Sequence, residues 1–260
     1  MDISDSNLQK KGCVIDYTNI TVYRQYEISP YEISPTDFAN MTKPNQSENS
    51  NQRRLTLAQK IQAIAQSGLQ YTGNPFDIER YHELSWIATE MMIEGTGADA
   101  DRGRVVFDAQ CGYATPKLDI RGVVFTVEEL LLVRELADGG RWTLPGGRVD
   151  VSEPPSLAVE REVLEEAGTL VKARKKLALY DRNMHGHPPT LFHTYKIFVL
   201  CDLIWESMAS ALETSDPSFF SLAEIPELSL SRVTPKQIAR IFEHLHDAKL
   251  PADFVSADFD

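Results

Sequence analysis

The sequence predicts a mixed α/β domain preceded by a small helical domain and a disordered extension. Apolar, β-branched runs flank one amphipathic helix entered from Gly146-Gly147, and a terminal helix follows, an order that suits a mixed sheet rather than a repeating βαβ array. Apolar residues recur at helical spacing over 55–95. Residues 1–54 are rich in Ser, Asn, Gln, Asp and Pro and show no period long enough to build a core.

The extension, 1–54, contains an immediate repeat, Tyr26-Glu-Ile-Ser-Pro30 and Tyr31-Glu-Ile-Ser-Pro35, in which each proline disfavours helix at the residue before it. A docking or phosphorylation motif at the Ser-Pro pairs is one reading, and a plain tail is preferred. Residues 55–95 read as a helical hairpin. Thr56 with Gln59 has the spacing of a capping box, Leu57, Ile61, Ile64 and Ala65 form a stripe, and Gly68 marks a stop. Asn74-Pro75 makes a turn, and Asp77 caps a second helix carrying Ile78, Tyr81, Leu84, Ile87, Ala88 and Met91 and ending near Gly95. Two such helices cannot hide their apolar faces alone, so they are expected to pack on the next domain or on a second subunit. Residues 96–116 read as a connector in which Val105-Val106-Phe107 forms a short anchored element.

The α/β domain is expected over 117–250, with a tail at 251–260. Ile120–Phe125 and Leu130–Val133 flank Val127-Glu128-Glu129 as a hairpin, and Asp138-Gly139-Gly140 is a turn. Arg141–Pro145 is a short strand leading into Gly146-Gly147, and Lys176–Tyr180 and Thr194–Leu203 are further strands. Thr234-Pro235 with Gln237 opens the terminal helix, which runs to about His246.

Composition narrows the class. The chain has 260 residues, enough for one substantial domain and a smaller one, and its 42% hydrophobic and 25% charged content is ordinary for a globular protein. No run approaches the ~20 apolar residues that cross a bilayer, and the N-terminus lacks a basic region followed by an apolar one, so no secretory signal is visible. Three cysteines, Cys13, Cys111 and Cys201, form no Cys-x-x-Cys pair, and a reducing cytoplasm is the expected location. A net charge of −12 disfavours a nucleic-acid backbone as partner and favours a nucleotide bridged by magnesium.

The chemistry is concentrated in Gly147-Arg-Val-Asp-Val-Ser-Glu153 and, seven residues on, Arg161-Glu162-Val-Leu-Glu165-Glu166-Ala-Gly168. On a helical wheel Leu157, Val159, Val163, Leu164 and Ala167 fall to one side, and Arg161, Glu162, Glu165 and Glu166 to the other, around the small Ala158. Glu160 lies on the apolar side without a partner that the sequence can supply. A solvated acidic face is the plain alternative, but Glu162 and Glu166 repel each other at i,i+4. Oxygen donors at this density suit Mg²⁺ or Mn²⁺ rather than zinc.

These residues resemble the signature of Nudix hydrolases: Gly, five residues, Glu, seven residues, Arg-Glu, an aliphatic residue, one residue, Glu-Glu, one residue, Gly. Thr169 departs from it where the family has an aliphatic residue. Residues 61–69 and 76–84, Leu179-Tyr-Asp-Arg-Asn183, and Phe219-Phe220 through Leu228-Ser-Leu230 also resemble bacterial members acting on CDP-choline or ADP-ribose.

The resemblance implies a Nudix-type mixed-sheet α/β/α sandwich behind a helical domain. It implies Glu162, Glu165, Glu166 and the Gly146 carbonyl as ligands of Mg²⁺, with Mn²⁺ able to substitute, and Arg161 and Glu153 as supports of those carboxylates. The reaction implied is hydrolysis of the pyrophosphate bond of a nucleoside diphosphate linked to X, and the assembly implied is a homodimer. Glu213 is the candidate general base, against the preferred reading of a loop cap or surface charge. Around Asp181–Pro189, His185, His187 and His193 fit no regular zinc spacing; Arg182 or His185 touching the substrate is preferred to a metal site. Trp142 is a candidate for stacking a base or, equally, a core residue. Hydrolysis of RNA ends and nucleotide sensing without turnover are the rival functions.

Overall fold

The computed structural model describes residues 50–206 and 214–254 of the chain. The expected extension therefore lies outside the described residues up to residue 49, while 50–54 belong to the first helix. That helix, α1 (Ser50–Tyr71), starts and ends beyond the sequence expectation. Thr56 is consequently mid-helix and caps nothing, and the Gln59 side chain donates to the Thr190 and Leu191 carbonyls across the fold. Gly68 is not a stop. A Cβ there would sit 2.4 Å from the Tyr81 ring, so its bareness serves close packing of α1 on α2 (Pro75–Thr96).

The cap of α2 is Asn74, whose side chain accepts from the Phe76 N–H at 2.9 Å with Pro75 at the first turn, rather than Asp77. The expected connector contains a third helix, α3 (Ala100–Asp108), capped by Asp99. It was illegible because its apolar residues are few, and a glycine in it, Gly103, packs under Ile93. Leu55, Ala58, Met92 and Phe107 form the core of this helical domain, and Leu191 and Phe192 pack against it.

The α/β domain comprises β1 (Lys117–Thr126), β2 (Glu129–Glu135), β3 (Arg141–Thr143), α4 (Pro155–Ala167), β4 (Thr169–Asp181), β5 (Thr194–Glu206), β6 (Thr214–Phe220) and α5 (Pro235–His246). β1 pairs parallel with β5, and β5 antiparallel with β4. β2 meets β1 at the hairpin and continues antiparallel to both β3 and β6. Strand alternation divides the side chains between two cores. Leu130, Leu132, Val123 and Phe198 face α5, with Ile238, Ile241 and Phe242. Leu131, Val133, Ile120, Val124 and Val199 face α4, with Ala158, Val159 and Val163. The result is the mixed-sheet α/β/α sandwich expected.

Two strands exceed the sequence reading. The first half of β4, Thr169–Lys175, alternates charged and apolar residues in a bulged strand, and β6 carries a proline, so neither shows a continuous apolar run. Of the expected tail, 251–254 are described, and there Asp253 bridges to Ala178 and accepts from Tyr180, Arg240 and His244; 255–260 lie outside the described residues.

Candidate active site

The entry to α4 determines the site. The loop after β3 passes so close to β1 that a Cβ on Gly146, at φ 142°, would lie 2.1 Å from the Ile120 carbonyl. A Cβ on Gly147 would lie 2.6 Å from a Glu162 carboxylate oxygen. Only glycines allow this approach. The Gly146 N–H donates to Glu166 at 2.9 Å, so loop and helix are joined at the carboxylates themselves.

The helix lies rotated from its sequence reading. Ala158, Val159, Glu162, Val163 and Ala167 are buried, whereas Leu157 and Leu164 are exposed. Glu160 gains the partners that the sequence could not supply: the Ala173 N–H at 2.9 Å and Lys172. Thr169 is buried with its hydroxyl donating to the Ala167 carbonyl, which satisfies the one departure from the signature locally.

Arg161 gathers three carboxylates. Its guanidinium grips Glu153 through two nitrogens at 2.8 and 2.9 Å, and a third nitrogen reaches Glu162 at 2.9 Å and Glu165 at 3.0 Å. Hydrogen bonds from Arg161 hold the Glu153 carboxyl below its usual range despite some burial. Glu162 and Glu166 turn inward to line a cleft of about 500 Å³ with Gly146, Gly147 and Arg182. Burial raises both carboxyls, with the neighbouring glutamates adding to it; Glu166 is pushed up to about 7 against the opposing effects of Arg121 and the Gly146 N–H. Glu165 does not join them. Its side chain is 59% exposed against Arg161, and among the described residues no three His, Cys, Asp or Glu side chains are gathered to hold a metal ion.

Trp142 and the three histidines are not among the residues that line the cleft. Trp142 packs instead against the α5 core, edge-on to Phe220 at 4.8 Å, with the Arg134 guanidinium over its ring. The ring of His185 lies 4.1 Å from that of Tyr180, and burial lowers its pKa. His187 is buried against the Leu230 carbonyl at 2.7 Å and His193 pairs with Asp181 at 3.0 Å. Glu213 lies outside the described residues.

The structure adds residues that the sequence reading missed. Asp119, Arg121 and Lys196 line the floor of the cleft. Asp119 binds Arg121 at 2.9 Å and also binds Lys196, and all three are buried. Burial alone would raise the Asp119 carboxyl, but the two cations together hold it below its ordinary range. Burial and the nearby Arg121 bring Lys196 down to about 8. The available signal was charge alternation in β1, since Asp119 and Arg121 are two apart and so share a face. Parallel pairing with β5 then sets Lys196 beside Asp119. Arg232, paired with Glu135 at 2.5 Å, completes the far wall.

A mixed sheet between two helices, with a glycine loop seating the carboxylates of one of them, is a recognisable architecture, and the chain belongs to the Nudix family, whose NUDIX domain model matches residues 116–247. It is a pyrophosphohydrolase of that family. A further family model, described as "UDP-X-like, N-terminal oligomerisation domain", matches residues 52–107. The chain is 38% identical to a Bacillus subtilis (strain 168) protein named "Putative ADP-ribose pyrophosphatase YjhB", over 74% of this chain and 91% of that protein. Among solved structures, one described as a UDP-X diphosphatase matches at 28% identity and a TM-score of 0.51, over 79% of this chain and 99% of that one. An ADP-ribose pyrophosphatase from Streptococcus suis 89-1591 matches at 35% identity and a TM-score of 0.50, over 54% of this chain and all, 100%, of that one.

Proposed function

We propose that the cleft hydrolyses the pyrophosphate bond of a nucleoside diphosphate linked to X, with Mg²⁺ as cofactor and ADP-ribose as the leading substrate, ahead of UDP- and CDP-linked compounds. The observation that carries this is the seating of Glu162 and Glu166 in a cleft that also presents Arg182. The names of the similar proteins support the ADP-ribose and UDP-X choices.

The donor set fits a hard divalent cation: the buried Glu162 and half-buried Glu166 carboxylates, each made harder to ionise by its surroundings, in a cleft that Gly146 and Gly147 also line. Bound there, such an ion would lower the pKa of a water and offset charge on phosphoryl oxygens. Glu165 would need to exchange Arg161 for the ion in order to serve as a ligand. Arg161 limits the freedom of Glu153, Glu162 and Glu165 together, and the Gly146 N–H aims Glu166. Arg182 is buried and lines the cleft, and its hydrogen-bond partners among the described residues are carbonyls, those of Pro188 and Ser231. A guanidinium whose hydrogen bonds go to carbonyls, with the Asp119 carboxylate acting on it only through its charge, suits a phosphate.

Incubation with ADP-ribose, UDP-sugars and CDP-choline in Mg²⁺ or Mn²⁺ tests the reading. The expected products from at least one of them are a nucleoside monophosphate and a phosphorylated X. Recovery of every compound intact would refute it.

The helical domain is proposed to form a homodimer. Phe76, Leu84, Trp86, Ile87 and Met91 of α2 stay exposed, a set that a lone domain seldom leaves in water. The match to an oligomerisation domain supports this use. Trp86, 60% exposed, contributes little to the fold of one chain. Trp86→Asp should therefore leave the circular dichroism of the folded chain unchanged while sedimentation shifts from dimer to monomer and the thermal midpoint falls by the dimer's contribution. A dimer unaffected by the substitution, or a monomeric wild type, would remove this proposal. Among the described residues no helix is long and apolar enough to cross a membrane. Cys111 and Cys201 are free thiols, which supports a cytoplasmic setting.

A further inference from the structure

The loop between β4 and β5, residues 182–193, supplies Arg182 and Thr190 to the wall of the carboxylate cleft. Its two limbs are clasped from outside. Gln59, in the middle of α1, commits its whole side-chain amide to them. Nε2 donates to the Thr190 carbonyl at 3.0 Å and to the Leu191 carbonyl at 3.2 Å, and Oε1 accepts from Asn183 Nδ2 at 3.3 Å. Asn183 adjoins Arg182, so one amide ties the limb bearing the guanidinium to the limb that returns to β5. Asn183 Oδ1 is buried and has no hydrogen-bond partner among the described residues, which leaves Gln59 holding that side chain. Packing alone does not fix the loop. Leu191 and Phe192 rest on the helical core, yet with His193 and Gln59 they also border a cavity of about 360 Å³, into which the loop could relax.

We infer that Gln59, although it lies outside the cleft, is a positioning residue for the reaction: it holds Arg182 where the phosphates of the substrate meet it. The inference rests on the diphosphate reading above. A guanidinium on a loose loop has to be immobilised as a phosphate binds, which weakens affinity, whereas one fixed beforehand escapes that cost. Arg182 donates to the Pro188 carbonyl at 2.7 Å, so its own aim depends on the shape of the loop it belongs to. Asp181 and His193, paired at 3.0 Å, close only the base of that loop, and Gln59 braces the limbs above it. An amide suits the task. It offers donors to one limb and an acceptor to the other at a single point, where lysine has donors alone and glutamate acceptors alone.

Binding without turnover tests this. Imidodiphosphate, a diphosphate with N–H in place of the bridging oxygen, is titrated calorimetrically in Mg²⁺ into full-length wild type, Gln59→Met, Arg182→Gln and the double variant. Methionine keeps the length and helix preference of glutamine and removes the hydrogen bonds. Gln59→Met should weaken binding about tenfold, the scale of ordering a side chain and its loop on binding. In the Arg182→Gln background the same change should weaken it less than twofold, because the group that Gln59 positions is gone. A merely structural role would give equal losses in both backgrounds. That result, or no loss in either, would overturn the inference. Hydrogen exchange needs no Arg182 variant: peptides over 182–193 should exchange severalfold faster in Gln59→Met than in wild type, while β4 and β5 stay protected. Unchanged exchange in the loop would overturn it equally. A wild type that binds no imidodiphosphate would instead remove the diphosphate reading, and this inference with it.

Discussion

Glu166→Gln is expected to lower turnover by about a hundredfold or more and, in the metal-free protein at pH 8, to raise stability. The two effects have one cause. Glu166 is an acid seated where burial and Glu162 oppose its charge, with a carboxyl raised to about 7. A carboxyl raised in the folded state contributes most below its unfolded value, and that contribution is lost as pH rises from the ordinary 4.5 through about 7. Above pH 7 the ionised group therefore costs on the order of 3 kcal/mol, which an uncharged isostere avoids. Thermal melts of wild type and variant in chelator should diverge above pH 6 and converge near pH 4. Adding Mg²⁺ should favour the wild type, because the variant lacks the carboxylate proposed to hold the ion. A variant as active as the wild type would remove Glu166 from the proposed machinery. One less stable than the wild type at pH 8 would show that its charge is better compensated than its burial implies.

Asp119→Asn should be the most damaging single change to the fold, with a loss on the order of 3–5 kcal/mol, because it leaves Arg121 and Lys196 buried without their shared carboxylate. Denaturant midpoints would measure it. The pH dependence distinguishes a charge effect from misfit. Lys196 already sits near 8, below the ordinary lysine value of 10.5, and the variant removes the group that favours its proton. When the folded state holds a proton less tightly than the unfolded, stability rises with pH across the gap between the two values. The variant's deficit should therefore shrink between pH 7 and 9.5. Adding Lys196→Met should recover much of the loss at pH 7. A deficit independent of pH, and untouched by the second substitution, would mean that the amide introduced at this position fails by shape alone.

What the sequence by itself determined was whatever depends on neighbours along the chain. Gly147, Glu153, Arg161, Glu162, Glu165, Glu166 and Gly168 lie within one turn and one helix, so their spacing is their geometry. Thr234, Pro235 and Gln237 likewise declared the start of α5, where the structure has the capping box. Local signals failed where a distant group competed for the same atoms. Thr56 and Gln59 have the pattern of a cap, yet Gln59 is engaged by carbonyls more than a hundred residues away, and Gly68 is a seat for Tyr81 rather than an end.

Tertiary structure alone decided the rest. It turned Glu162 and Glu166 into the cleft while leaving Glu165 on Arg161, a choice made by the rotation of α4 on the sheet and invisible in a run of glutamates. It set Lys196 beside Asp119, 77 residues away, through the parallel register of their strands, where no local pattern records the pairing. It placed Trp142 in the core and His185 on Tyr180, since a side chain's partner depends on which strand lies next to its own. The acidic helix is legible in its sequence; the floor of the cleft beneath it exists only because strands remote in the chain are brought together by the burial of their apolar faces.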